Sequence, residues 1–138
     1  MGLFSSMRIS GSALTAQRLR MDVTAGNIAN ADTTRTNGQL KPYQRQQVVF
    51  APLSPAPSTS GQGVQVTQVV TDQSAPRQVY DPTNADADPN TGLVAYPNID
   101  TTTEMTDMLS ASRAYEANVT VLDSLKQMAQ RSIDLGKA

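Results

Sequence analysis

The chain has 138 residues, a net charge of −1, and neither cysteine nor histidine. That length suits one modest domain, and the two missing residue types exclude disulfides, thiol nucleophiles, imidazole bases and nearly all zinc or copper sites. The even charge balance leaves no field to steer nucleic acid, and 27 residues of Leu, Ile, Val and Phe bring the chain close to the composition at which burial no longer offsets ordering entropy.

The expectation from this composition is a chain that folds fully only when neighbours supply part of its core. All eight prolines lie between Pro42 and Pro97. Because proline breaks helix interiors, the chain divides into residues 1–31, an N-terminal helix; 32–100, an irregular and β-rich insert; and 101–138, a C-terminal helix. The fold class expected is therefore mainly α with a small β-rich insert, its two long helices packed as a coiled-coil-like pair.

In the first segment Met7, Leu14, Met21 and Ile28 recur every seven residues, and Ile9, Ala13, Ala16 and Val23 widen the stripe. Gly11 and Gly26 each weaken the helix by up to about 1 kcal/mol relative to alanine. Arg18 and Arg20 read as a solvated face. Asn27 and Asn30 share a face near the helix end and admit two roles. They terminate the helix through the left-handed conformation, or they make inter-helix hydrogen bonds that fix register.

Within the insert, residues 46–50 and 64–70 are the best strand candidates, with short edges at 77–80 and 93–96. Residues 52–61, rich in proline and serine, read as a mobile loop. Asp86, Asp88 and Asn90 space their oxygens as a calcium loop does. Thr91 then stands where glycine is required and Pro97 where the bidentate glutamate belongs, so an Asx-rich turn explains them better. Asp81, Asp86, Glu104 and Asp107 imply no acid–base pocket, and Glu104 and Asp107 suit the first turns of a helix. Gly61-Gln62-Gly63 lacks the third glycine and following helix of a phosphate loop. No cofactor, metal, catalytic residue or small-molecule substrate is expected.

The last segment predicts a helix over residues 103–134, about 48 Å long at 1.5 Å per residue. Thr101 to Thr103 offer capping hydroxyls and Gly136 a stop. Met105, Met108, Ser112, Tyr115, Val119, Leu122, Ala129 and Ile133 form one apolar row. Ala111, Ala114, Val121, Leu125, Met128 and Leu135 form a second, about 100° round the helix. One row suffices to pair with the first helix, and the other is expected to meet other subunits; the alternative is a single wide stripe facing the central segment. The residues expected at assembly interfaces are Leu14, Met21, Asn27, Ile28, Asn30, Tyr115, Val119, Leu122 and Leu125.

No window reaches the roughly 18 apolar residues of a membrane span. The start has no apolar core behind a basic patch, so export, if it occurs, is expected without a cleaved signal peptide. The myristoylation-like start and the Asn118-Val119-Thr120 sequon read as chance matches.

Residues 14–23 (LTAQRLRMDV) with 27–34 (NIANADTT), and residues 108–119 (MLSASRAYEANV), resemble the N- and C-terminal signatures of flagellar basal-body rod and hook proteins. Residues 43–50 (YQRQQVVF), 79–82 (VYDP) and 94–98 (VAYPN) are similar to the proximal-rod branch of that family. Gly26 and Asp32 depart from it, each standing where the family usually has asparagine.

The resemblance implies a structural, non-enzymatic subunit that passes unfolded through the flagellar type III export apparatus. It would polymerise in the periplasm into the tubular rod that transmits torque to the hook. Its terminal helices would pack round the central channel with the β-rich segment outside. Partners would be other copies, other rod subunits and the ring–rod junction protein. An export adaptor or a wall-degrading hydrolase is the alternative to a rod subunit.

Overall fold

The computed structural model of the protein describes residues 2–53 and 63–136. Most of the expected loop at 52–61 lies outside the described residues. Two long helices, α1 (Leu3–Ala29) and α2 (Thr101–Leu135), enclose four strands in sequence, β1 (Gln46–Pro52), β2 (Val64–Thr71), β3 (Arg77–Tyr80) and β4 (Leu93–Tyr96). The expected mainly helical fold with a small β insert is what the structure shows.

Helix α1 ends at Asn30, whose side-chain Nδ2 donates to the Gly26 carbonyl at 2.8 Å while its backbone N–H donates to Gly26 and Asn27. Asn30 thus closes the helix, but with φ −106° rather than in the left-handed region. Left-handed backbone occurs instead at Asn37 and Gly38, among other positions, in a tight turn where Thr36 and Gln39 exchange both backbone hydrogen bonds.

Helix α2 begins differently from the sequence expectation. Asp100, not a threonine, is the cap: its carboxylate accepts from the Thr102 N–H at 2.9 Å and the Thr103 hydroxyl at 3.0 Å. These bonds hold the Asp100 carboxyl below the ordinary aspartate range, the Thr103 hydroxyl contributing most. Glu104, expected to serve the helix start, is turned inward and buried. Gly136 keeps a right-handed conformation, so the helix does not end through a left-handed glycine.

The helices run antiparallel, since Asn27 near the end of α1 meets Glu104 in the first turn of α2. Among the described residues, α1 is the element that packs on α2, and no strand does. Its inward stripe is therefore read from burial: Glu104, Met108, Ala111, Tyr115, Asn118, Leu122, Leu125 and Ala129 follow each other at spacings of three or four. Small residues dominate the buried seam, with Ala16 on α1 and Ala111 on α2.

Strands β1 and β2 form one antiparallel hairpin, with a register shift between Val49 and Phe50. Helix α1 packs on both of these strands. Strands β3 and β4 form a second hairpin in the register Arg77 to Tyr96 through Tyr80 to Leu93. Among the described residues, neither strand of that pair packs on a helix or on β1 or β2.

Candidate assembly site

The helix pair and the first hairpin meet at a polar junction. Asn27 on α1 is only 1% exposed and Glu104 on α2 only 2%. The Asn27 amide donates to the Gln46 carbonyl at 2.8 Å and to Glu104 Oε2 at 2.9 Å, and accepts from the Gln46 N–H at 2.9 Å. The backbone of Gln46 settles which end of the amide carries oxygen, because one of its groups only donates and the other only accepts. Arg45, one residue before β1, donates through Nε to Glu104 Oε1 at 2.6 Å and reaches Asp107 at 3.8 Å. Arg20 of α1 donates to the other oxygen of Asp107 at 3.2 Å. Tyr43 lies close by, and burial followed by the Glu104 charge pushes its phenol above the ordinary value.

This arrangement ties three distant segments together with charge-assisted bonds, leaving no buried polar group at Asn27 or Glu104 without a partner. Breaking one partner of such a buried network costs far more than the intact network adds in net stability. Of the two roles open to the asparagines, Asn27 takes the helix-bridging one and Asn30 the terminating one. Arg20, expected to be a solvated residue, pairs with Asp107.

A second tether lies lower on α1. The Ser12 hydroxyl donates to the Ile9 carbonyl and accepts from the Val64 N–H at 3.0 Å. Gly63 has φ +108°, and a Cβ there would collide with the Ser12 Oγ. Glycine at 63 therefore allows strand β2 to start against α1, a role that its reading as a failed phosphate loop did not contain.

The two apolar rows expected on α2 are not divided as the sequence suggested. The inward stripe crosses both: Met108, Tyr115, Leu122 and Ala129 come from the first row, Ala111, Ala114 and Leu125 from the second. Left outside are Met105, Leu109, Val119 and Ile133 on one side and Val121, Met128 and Leu135 on the other. The reason is geometric, since a partner helix covers an arc centred between rows about 100° apart. On α1, Leu14, Met21, Ile28 and Asn30 are half-buried and Asn27 is buried.

Helix α2 is also longer than its partner. With Asn27 opposite Glu104 and equal rise along both helices, Leu3 falls near Met128. The turns of α2 beyond that point have nothing described in α1 beside them, and residues 130–136 are all exposed. Val121, Met128 and Leu135, spaced by seven, are 46%, 50% and 78% exposed.

Among the described residues no cluster of acidic side chains could hold a metal ion, and no helix is long and apolar enough to cross a membrane. Asp86, Asp88 and Asn90 sit in Asx-type turns as expected, the Asn90 N–H donating to Asp88 Oδ1 at 2.9 Å.

Residues 7–35 match the family "Flagella basal body rod protein", and residues 90–135 match "Flagellar basal body rod FlgEFG protein C-terminal". The chain is similar to the flagellar basal-body rod protein FlgC of Bacillus subtilis, 41% identical over 151 residues covering 99% of this chain and 100% of that protein. It is 44% identical to FlgC of Escherichia coli O157:H7 over 138 residues, with the same coverage. FlgC of Borreliella burgdorferi is 43% identical over 148 residues, 96% of this chain and 97% of the relative.

Proposed function

Because the chain belongs to the family of FlgC flagellar basal-body rod proteins, a family of structural rather than enzymatic subunits, we propose that it polymerises through its terminal helices into the proximal rod. As a basal-body rod subunit it assembles with other flagellar components. The specific neighbours we assign are further copies of itself, other rod subunits, the ring–rod junction protein and, during delivery, the export apparatus. The assembled subunit then lies in the periplasm, having crossed without a cleaved signal peptide, and carries torque from motor to hook.

The observation that carries the polymerisation step is the exposed row Val121, Met128 and Leu135 on a helix that outruns its partner. A row spaced by seven residues is the geometry of a helix–helix seam, and here the chain's own α1 has been spent on the adjacent arc. Repetition of one such contact between identical units, head to tail, generates an open helical tube. The residues 1–31 and 101–138 would constitute its wall and residues 32–100 its outer part. Of the interface residues expected from sequence, Val119 is available for contact between subunits, whereas Asn27 and Leu125 act inside the subunit and support the interface indirectly.

Electron cryomicroscopy of isolated basal bodies tests this reading. The expected map places α1 and α2 against the central channel, with Val121 and Met128 covered by a neighbouring subunit. Recovery of the protein in the soluble cytoplasmic fraction, absent from basal bodies, would overturn it.

A further inference from the structure

The β3–β4 hairpin is built as a separate arm. Among the described residues, no helix and no strand of the first hairpin packs on it, although Val94 within it is fully buried and Pro97 just after it nearly so. Connecting segments must therefore cover those residues. Among the described residues, the hydrogen bonds joining residues 76–98 to the rest of the chain are two, and both end on one carboxylate. Thr34 donates through Oγ1 to Asp86 Oδ2, and Arg35 donates through Nε to Asp86 Oδ1.

We infer that Asp86 is a clasp that holds the β3–β4 arm in its docked orientation, and that releasing it frees the arm without unfolding the helix pair or the first hairpin. Each oxygen of the carboxylate has its own donor, so the clasp fixes direction as well as distance. The side chain takes no part in shaping its own loop. There the Asp86 N–H donates to Asn84 Oδ1, and the Asn84 N–H to the Asp81 carbonyl. Removing the Asp86 carboxylate thus leaves the turn bonds in place. The first hairpin is held by contrast through buried contacts with α1, at Asn27 and Ser12.

A two-stranded hairpin that packs on no other helix or strand, and is joined to the rest of the described chain by hydrogen bonds to one carboxylate, belongs to the low-stability end of a structure. The bonds Thr34 and Arg35 make to Asp86 hold its carboxyl below the ordinary aspartate range, which agrees with a clasp that is engaged at neutral pH. The arm lies in the segment that the proposed rod carries on its outside. An arm with one releasable tether can fit neighbours that differ around a tube.

Hydrogen exchange on the full-length protein tests the clasp, comparing wild type with Asp86→Asn, Thr34→Val and Arg35→Gln. The expected result for Asp86→Asn is exchange about tenfold faster at residues 77–80 and 93–96, with residues 46–52 and 64–71 unchanged. In the double variant Asp86→Asn, Arg35→Gln, the expected acceleration is smaller than the product of the single effects, because both remove one bond. Unchanged exchange in the arm, equal acceleration in both hairpins, or fully multiplicative effects would each overturn the inference.

Discussion

Asn27 meets the backbone of Gln46 as one strand meets another, donating to its carbonyl at 2.8 Å and accepting from its N–H at 2.9 Å. A side chain on α1 thus stands in for a strand residue at the start of β1, and its remaining amide hydrogen goes to Glu104 of α2. One residue specifies how two helices and a hairpin sit relative to each other.

Asn27→Asp keeps the shape and reverses the chemistry. It removes both donated bonds and sets a second carboxylate against Glu104, so the expected loss is about 3 kcal/mol, with charge repulsion added to orphaned groups. Asn27→Leu takes the side-chain partner from the Gln46 backbone and the donor from Glu104 Oε2, leaving Glu104 only Arg45, and is expected to cost about as much. Urea unfolding followed by circular dichroism checks both. A loss within about 0.5 kcal/mol for either would show that the junction does not hold the fold together.

Glu104→Gln separates charge from hydrogen bonding. The amide retains one oxygen for Asn27 or Arg45 but not for both, and Arg45, itself largely buried, loses its closest counter-charge. About 2–4 kcal/mol of destabilisation is expected. Asp107→Asn, at a half-exposed site, should cost under about 1 kcal/mol. The ratio between the two in the same denaturation experiment is the check.

Why the junction was not legible in the sequence follows from its composition. Its members are polar and lie far apart in the chain, so neither a 3.6-residue nor a 2-residue period marks them. Glu104 follows three threonines at a helix start, where an acid is explained by the helix dipole alone. The helices and the four strands, by contrast, announce themselves through apolar spacing and through prolines confined to the centre. Asn27 was recognisable as a candidate because it shares a helix face with Asn30 near the end of α1. Gln46 was not, because it contributes only backbone.

Gly63→Ala tests the lower tether. The new Cβ meets the Ser12 Oγ, and φ +108° disfavours any side chain, so a loss of about 1–3 kcal/mol is expected. Ser12→Gly in the same chain removes the collision but not the backbone strain. It is expected to recover part of the loss only, and full recovery would assign the whole effect to the collision.

Acidification should weaken the contacts of Asp100 and Asp86, whose carboxyls are held below the ordinary aspartate range. A carboxyl whose folded value is depressed contributes stability above its unfolded value, and that contribution is lost as pH falls through the folded value. The expected outcomes on lowering pH below about 4 are fraying of the first turn of α2 and release of the β3–β4 arm, in no set order. Amide signals of Thr102 and Thr103, followed by NMR during an acid titration, report the fraying. In Asp100→Asn the pH dependence at these amides should disappear while the neutral-pH helix persists, since asparagine is also a good cap.

Leu125 and Val121 separate folding from assembly. Leu125 is buried in the seam with α1, and Val121, four residues earlier, is 46% exposed on the free flank. Leu125→Asp places an unpaired carboxylate between the helices at a cost of about 3 kcal/mol or more, so helicity of the isolated protein should fall. Val121→Asp leaves the helix pair intact, with a stability change within about 0.5 kcal/mol. In the assembled rod, however, it puts a charge into the proposed intersubunit seam. The expected phenotype is a protein that folds and is exported as wild type yet gives no rods and no motility. Met128→Asp, one heptad further on, should behave in the same way. The pair of readouts, circular dichroism for the isolated protein and rod yield for the cell, assigns each residue to one interface. Wild-type motility in both Val121→Asp and Met128→Asp would show that this flank of α2 faces solvent in the rod, and the seam would then have to be sought on the opposite flank, at Met105, Leu109 and Val119.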